Sequence, residues 1–260
     1  LVAKVPGVEL LTIMDLLSVT TVDARITVDY NGNIESKVVD ASHVAMVKIN
    51  LGEDVSHDNI KFDLDLSVVR NFMKKAKWGK TTGRGDAKTY AELLNIIYEK
   101  NRSYMKINTT RDDVTTVGFE VHLLDSATMS SPNVPKLVLP AQVTISGQEF
   151  LNRVDLCKQA GDLIFVEVED GQLVTYSETE GSKVFVEGKN ETAKSVDGKS
   201  KASYSLTYLH PIAKALKNQE ITVKTGENFP MMIECDWNFG YETRTMKVQY
   251  FLAPRVEGNY

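Results

Sequence analysis

The feature that most constrains this chain is an internal repeat with an offset of 140 residues. The segment starting at Gly7 reads Gly-x-Glu-Leu-Leu-x-x-x-Asp-Leu, and it returns at Gly147 as Gly-x-Glu-Phe-Leu-x-x-x-Asp-Leu. The same offset relates four further residues to the second half: Leu66, Ser67, Phe72 and Lys74 correspond to Leu206, Thr207, Ile212 and Lys214. Because 260 residues suffice for two ordinary domains, we expect one folding unit used twice.

The composition is that of a globular protein found inside cells. Hydrophobic residues make up 42% of the chain, and no apolar run approaches the roughly 20 residues of a membrane helix. Cys157 and Cys235 lack metal-ligand spacing and lie in apolar segments, so we expect reduced core thiols rather than a disulfide. Reduced cysteines indicate a protein that acts inside the cell.

Hydrophobic periodicity predicts the same order of elements in both halves. Helices are predicted at 8–19, 66–77, 147–159 and 208–217. Strands are predicted at 25–30, 34–40, 45–51, 91–98, 104–109 and 117–124, and again at 162–168, 172–178, 182–188, 220–225, 229–237 and 245–252. Two helices and many strands per half indicate an α+β fold, with helices packed on one face of a mainly antiparallel sheet.

Three segments fall outside the repeat. Residues 77–90 are polar and form an insertion, after which the offset between the halves falls to about 127, as an insertion of roughly a dozen residues requires. Residues 125–140 contain three prolines and are predicted to connect the domains, while 189–201 are predicted to form a mobile loop. The expected boundaries are therefore 1–124, 125–140 and 141–260.

Basic residues recur on the second helix of each half. Arg70, Lys74 and Lys77 share one helix face, and His210, Lys214 and Lys217 repeat this spacing. One such stripe is typical of a solvated helix face, whereas two equivalent stripes in a chain of net charge −5 favour a surface for a polyanion such as DNA. Lys80 extends the first stripe, and Arg153 adds a cation on the helix at 147–159.

The sequence contains no arrangement typical of an enzyme. Histidines 43, 57, 122 and 210 form no ligand cluster, and neither a P-loop nor a GxGxxG motif is present. Asp40, Ser42 and His43 resemble parts of a catalytic triad, but adjacent residues of an extended chain point to opposite sides. We therefore expect no catalytic activity, no metal and no cofactor.

Two motifs give the chain a family resemblance. Residues 38–47 (VVDASHVAMV) resemble the D-x-S-H-V segment of the proliferating cell nuclear antigen (PCNA) family of archaeal and eukaryotic DNA sliding clamps. Residues 250–257 (YFLAPRVE) are similar to the family's C-terminal motif, and residues 146–150 are similar to the start of one of its helices. The resemblance covers essentially the whole chain, including the connector. It implies a location in the cytoplasm or nucleoid of an archaeal or viral system, or in a eukaryotic nucleus.

This resemblance implies a ring around double-stranded DNA. Three chains would close head to tail, with the strand at 115–121 pairing with 182–188 of the next chain, and the helices would line the hole. DNA contacts without sequence specificity would come from the basic residues of those helices: Arg70, Lys74, Lys77, Lys80, Arg153, His210, Lys214 and Lys217. The helix at 8–19 lacks its usual lysines, and Asp155 stands where relatives often carry a cation.

The resemblance also implies a docking site for short hydrophobic peptides of replication and repair proteins. Its residues would be Val39, His43, Val44, Val134, Pro135, Pro230, Phe251, Ala253, Pro254 and Val256. The expected partners are a DNA polymerase, the clamp loader, ligase and nuclease, for which the chain would act as processivity factor. Two alternatives remain, a subunit of a heterotrimeric clamp and a clamp-fold scaffold that binds partners without sliding on DNA.

Overall fold

The computed structural model describes residues 2–78, 92–99, 102–111, 114–125, 132–169, 171–179, 181–188, 193–237, 239 and 244–255. The helices are α1 (Gly7–Leu17), α2 (Leu66–Ala76), α3 (Gly147–Lys158) and α4 (Leu206–Leu216). The first eight strands are β1 (Val2–Pro6), β2 (Asp23–Asp29), β3 (Ile34–Val39), β4 (Ala45–Leu51), β5 (Asn59–Asp65), β6 (Leu93–Ile97), β7 (Tyr104–Arg111) and β8 (Thr115–His122). The others are β9 (Ala141–Ser146), β10 (Leu163–Glu169), β11 (Gln172–Thr179), β12 (Ser182–Gly188), β13 (Ala193–Asp197), β14 (Ser200–Ser205), β15 (Glu220–Thr225), β16 (Met231–Trp237) and β17 (Met246–Leu252).

The chain divides into two compact units. The first comprises Leu1–Val38, Lys48–Asn133 and Asn238–Met246, and the second comprises Val39–Val47, Val134–Trp237 and Lys247–Tyr260. In the first unit, strands follow the order β1-β6-β7-β8, and β2 pairs with β3 and β5. In the second, the orders are β12-β11-β10-β14 and β13-β9-β15-β16-β17. The recorded pairings are antiparallel, as the sequence predicted.

The repeat is visible in the helix starts. α1 and α3 begin at Gly7 and Gly147, and α2 and α4 begin at Leu66 and Leu206, each pair 140 residues apart. Neither glycine tolerates a side chain, since a Cβ would lie 2.3 Å from the Trp78 carbonyl oxygen in one case and 2.1 Å from that of Leu216 in the other. A steric requirement at the same point of both units therefore accounts for the repeated glycine.

Each pair of helices buries apolar side chains against its own sheet. Leu10, Ile13 and Leu17 of α1 are buried, and α3 buries Phe150 and Val154 in the same way. α3 packs against β9, β10, β11 and β12, whereas α2 packs against β5 and β8. The predicted fold class, an α+β clamp with two helices on antiparallel strands in each of two similar domains, is confirmed.

Five strands lie outside the strand ranges predicted from the sequence. β1 and β9 directly precede the first helix of each half, and β5 ends at Asp65, the N-cap residue of α2. β13 lies where a mobile loop was predicted over 189–201, and β14 begins at the end of that range. That prediction was wrong for Ala193–Asp197, because these residues pair with β9 and the chain then turns at Gly198, whose φ is +78°. Lys- and Ser-rich composition suggested a loop, but backbone pairing to a buried strand decides the structure here.

Candidate functional site

The helix α2 presents its basic residues because its apolar residues face the core. Val69 and Met73 are completely buried, whereas Arg70 is half-buried and Lys74 and Lys77 are exposed. Asp65 fixes the helix start by accepting hydrogen bonds from the backbone N–H groups of Ser67 and Val68. These bonds lower the pKa of Asp65, the side-chain bond from the Ser67 hydroxyl contributing most.

Two of these cations are held by an acid of the neighbouring helix. Arg70 Nε lies 2.7 Å from Asp15 Oδ1, and Lys74 Nζ lies 2.9 Å from the same oxygen. The Asp15 side chain is 41% exposed, so this three-residue group lies at the surface. Lys77 ends the helix in a left-handed conformation, and it has no ion pair within the described residues.

The second unit repeats the arrangement with different chemistry. His210 Nε2 lies 2.9 Å from Asp155 Oδ1, and the other ring nitrogen lies 3.3 Å from Lys158 Nζ. Asp155 and Lys158 of α3 thus contact the two ring nitrogens of one α4 side chain. Lys214 and Lys217 are exposed and form no ion pair in the part of the chain that the structure describes.

Arg153 does not belong to this surface. Its side chain is 1% exposed, and the guanidinium donates to the Val186 and Leu173 carbonyl oxygens at 3.1 and 3.3 Å and to Glu149 at 3.0 Å. The prediction that Arg153 contacts DNA was therefore wrong, because the residue joins α3 to β11 and β12. Lys80, also predicted here, lies outside the described residues.

The second candidate site is built around a turn held by one carboxylate. Asp40 accepts hydrogen bonds from the backbone N–H groups of Ser42, Val44 and Ala45 at 2.9, 2.7 and 2.6 Å. This turn places His43, exposed and with a φ of 56°, next to the half-buried Val44. Since Asp40 is occupied by the backbone, it does not orient His43, and the resemblance to a catalytic triad has a structural explanation.

The C-terminal segment is fixed to this turn and to β14. The Ala253 N–H donates to the Val44 carbonyl oxygen at 2.8 Å, and Arg255 exchanges two hydrogen bonds with Ser203. Ala253 and Pro254 are left half-buried between these anchors. The backbone pairing thus brings Val44, Ala253 and Pro254 to one surface.

A buried apolar layer lies in the same unit. Met46, Met232 and Phe251 form its centre, and Val39, Val134, Leu137 and Leu139 pack against it. Phe251 is only 5% exposed, so its ring packs within this layer and offers almost no surface to a ligand. Met46, Met232 and the two connector leucines were missed, although the alternation in β4 and the apolar residues at 137–139 were visible signals.

Three further residues predicted for the peptide-docking site are not part of the apolar layer within the described residues. Pro135 is exposed on the connector, Pro230 is half-buried immediately before β16, and Val256 lies outside the described residues. Among the predicted residues, Val39, Val134 and Phe251 meet in the apolar layer, and Val44 and Ala253 meet through their backbones.

Both strands predicted to close a ring are edge strands. β8 is the last strand of the order β1-β6-β7-β8, and β12 is the first of β12-β11-β10-β14. Phe185 of β12 is 61% exposed, beyond a stack in which the Phe165 and Tyr176 ring centroids lie 4.7 Å apart. An unpaired edge with an exposed aromatic side chain is suited to pairing with another strand.

The described residues contain no group of three or more histidine, cysteine or acidic side chains that could hold a metal ion. None of their helices is both long and apolar enough to cross a membrane. Cys157 and Cys235 are free and buried, as predicted.

Comparison with known proteins gives a consistent result. No family model matches the chain. A protein of Methanococcus vannielii named DNA polymerase sliding clamp is 28% identical over 242 residues, 88% of each chain. The A. fulgidus PCNA solved with the C-terminal region of FEN-1 bound has a TM-score of 0.80 at 20% identity, covering 98% of both chains. The PCNA2–PCNA3 complex of Sulfolobus tokodaii gives 0.75 at 17%, covering 98% of this chain and 99% of the matched one.

The architecture of each unit and its agreement with these structures define a DNA-clamp fold. The curated relatives and this shared fold together support a PCNA-family sliding clamp, which confirms the resemblance predicted from residues 38–47 and 250–257.

Proposed function

We propose that this chain is a DNA sliding clamp, a processivity factor that encircles duplex DNA and docks replication and repair enzymes without catalysing a reaction itself. The observation that carries the proposal is the basic face that recurs on α2 and α4 in a fold shared with PCNA. Cations without base-reading motifs suit contact with phosphates rather than with a sequence. The functional domains would be 1–124 and 141–260 joined by 125–140, and the protein would act where the cell keeps its DNA.

Ring closure would use the two edge strands. β8 of one copy would pair with β12 of the next, which covers both edges and buries Phe185. Size-exclusion chromatography with light scattering tests this assembly, with a trimer as the expected result. A chain that remains monomeric at micromolar concentration would contradict a homotrimer.

DNA contact would come from Lys77, Lys214 and Lys217 together with the acid-paired Arg70, Lys74 and His210. Primer extension on a long template with a clamp loader should give longer products when the protein is added. The pair Lys74→Glu with Lys214→Glu should shorten these products and increase their salt sensitivity while the trimer persists. If the unaltered protein leaves the product length unchanged, the proposed role as processivity factor is contradicted.

Partner peptides would dock on the surface formed by the Asp40 turn, the connector and the C-terminal segment. Val44 and Pro254 are half-buried, and each lies within three residues of a member of the apolar layer, Met46 or Phe251, which suits a hydrophobic docking site. Polymerase, loader, ligase and nuclease are the proposed owners of such peptides. One related PCNA was solved with the C-terminal region of FEN-1 bound, which favours peptide docking as a mode of use.

Fluorescence polarisation with a synthetic Gln-x-x-Φ-x-x-Φ-Φ peptide, in which Φ is hydrophobic, tests this site. Val44→Ala or Pro254→Ala should each weaken binding by about fivefold, because truncating an interface side chain costs on the order of 1 kcal/mol. Val138→Ala is the control, since Val138 lies on the connector but is 96% exposed. Equal effects of all three variants would contradict the site.

A second assignment is a subunit of a heterotrimeric clamp. The similarity to a solved PCNA2–PCNA3 complex favours this alternative, because in that protein the clamp contains different chains. The same light-scattering measurement separates the two, since such a subunit would trimerise only after its partner chains are added. A clamp-fold scaffold that does not slide would assemble and bind peptides yet leave primer extension unchanged.

A further inference from the structure

An acidic residue stands at the same position of both repeats and faces the candidate DNA-binding surface. Asp15 of α1 and Asp155 of α3 are 140 residues apart, as are the residues they hold, Arg70 and His210. The repeat thus duplicates an acid together with its cationic or protonatable partner. In each unit, therefore, an aspartate of the first helix bonds to a basic or titratable side chain of the second helix.

Both acids lie at the surface rather than in the core. The Asp15 and Asp155 side chains are 41% and 50% exposed, and their partners Arg70, Lys74 and His210 are 29%, 48% and 23% exposed. Ion pairs this exposed add little to stability. The two acids are therefore accessible to any ligand that approaches the basic face, and their main effect is on the charge that such a ligand meets.

The contacts of Asp15 are the ones that a phosphate would make. One carboxylate oxygen receives both Arg70 Nε and Lys74 Nζ, at 2.7 and 2.9 Å, as a phosphate oxygen would. A phosphate that binds these cations must either displace the carboxylate or lie beside it, and two adjacent anions repel each other. In the second unit Asp155 occupies His210 in the same way, while Lys214 remains open.

We propose that Asp15 and Asp155 act as internal competitors of DNA phosphate, which weaken the clamp's hold on DNA at equivalent points of its two units. The inference rests on the proposed function and adds that the protein's own acids limit its affinity for DNA. A closed ring stays on DNA without tight binding, so a weak hold would favour sliding over arrest. Replacing either acid with its neutral amide should therefore strengthen polyanion binding.

The test compares Asp15→Asn and Asp155→Asn with Asp54→Asn. The control carries the same charge change on the loop between β4 and β5, where Asp54 is exposed and forms no ion pair within the described residues. Elution from heparin needs neither a ring nor a loader, and both test variants should elute at higher salt than the control. On duplex DNA, affinity should rise about two- to fivefold, and the salt slope should steepen by about 0.9 for each additional phosphate that the protein neutralises.

Each outcome supports or overturns the inference. Elution of Asp15→Asn and Asp155→Asn at the salt concentration of Asp54→Asn would overturn it, and earlier elution would show instead that the acids position the cations for binding. Thermal unfolding of all three variants checks that the fold is kept. If the unaltered chain neither trimerises nor extends products, the proposed function fails, while the heparin comparison still decides the role of the two acids.

Discussion

The two units use the same helix positions for different purposes. Ile13 of α1 is a completely buried apolar residue, whereas its counterpart Arg153 in α3 is almost equally buried but donates hydrogen bonds to the carbonyl oxygens of Leu173 and Val186. The first unit therefore joins helix to sheet by packing, and the second adds hydrogen bonds from a buried guanidinium. A shared backbone thus constrains where a side chain lies, but not the chemistry by which it holds the unit together.

The basic faces differ in the same manner. In the first unit, Asp15 holds the second stripe residue, Lys74, together with Arg70. In the second unit, Asp155 holds His210, and Lys214, the counterpart of Lys74, has no ion pair among the described residues. The second unit accordingly offers the more open lysine, although the two stripes look equivalent in sequence.

The largest expected effect comes from removing the buried guanidinium. Arg153→Ala should lower the free energy of unfolding by about 3 kcal/mol, because it creates a cavity and removes several buried hydrogen bonds. Urea denaturation followed by circular dichroism measures the loss. Arg102→Ala is the control, since Arg102 is exposed and pairs with the nearby Glu99 at the surface, and it should change stability by less than about 0.5 kcal/mol. Weaker DNA binding by Arg153→Ala at unchanged stability would contradict the buried role.

Alkaline pH should destabilise the second unit. Both cysteines lie there, and burial raises the pKa of Cys157 and raises that of Cys235 to about 12 from 9.0, with Asp236 adding to the latter. Burial also raises the pKa of Tyr204 and Tyr250. The folded thiol keeps its proton while the unfolded one ionises, so the stabilisation is complete below about pH 9 and is lost as the pH rises towards 12.

The loss due to Cys235 should reach about 1–2 kcal/mol at pH 10.5 relative to pH 8. Urea midpoints at the two pH values measure it. Cys235→Val removes the thiol while keeping a buried apolar side chain, so it should flatten the pH dependence. The fluorescence of Trp78, isolated by Trp237→Phe, should show the smaller shift expected of the first unit. If Cys235→Val leaves the pH dependence of stability unaltered, ionisation of the Cys235 thiol is not its cause.

The sequence predicted features that depend on local pattern, and it failed where long-range contacts decide. The four helices, the Gly7–Gly147 repeat and the edge strands were predicted because periodicity, steric limits and turn signals act within a short segment. β13 was missed because its pairing with β9 is not encoded in its own polar composition.

In the candidate sites, too, local spacing was predictable from the sequence, whereas long-range contacts were not. The stripe at 70, 74 and 77 follows from helical spacing, but neither its bonds to Asp15 nor the burial of Arg153 can be inferred from that spacing. Arg153 looked like a surface cation because arginine is rarely buried, and only the positions of β11 and β12 show which carbonyl oxygens receive it. The apolar layer likewise depends on contacts between residues of β4, β16 and β17, which are far apart in the sequence.

The smallest expected effect separates the two basic faces directly. Lys214→Ala should weaken duplex DNA binding by roughly three- to fivefold and reduce the salt slope by about 0.9, since an open lysine can neutralise one phosphate fully. Lys74→Ala removes the same charge but should have less effect, because Asp15 already offsets part of it and Arg70 remains. Titration of a labelled duplex at several salt concentrations gives both quantities. Lys136→Ala, on the exposed connector, controls for the charge change alone. Equal losses for Lys74→Ala and Lys214→Ala would mean that DNA displaces Asp15 without cost and that the two faces bind phosphate alike.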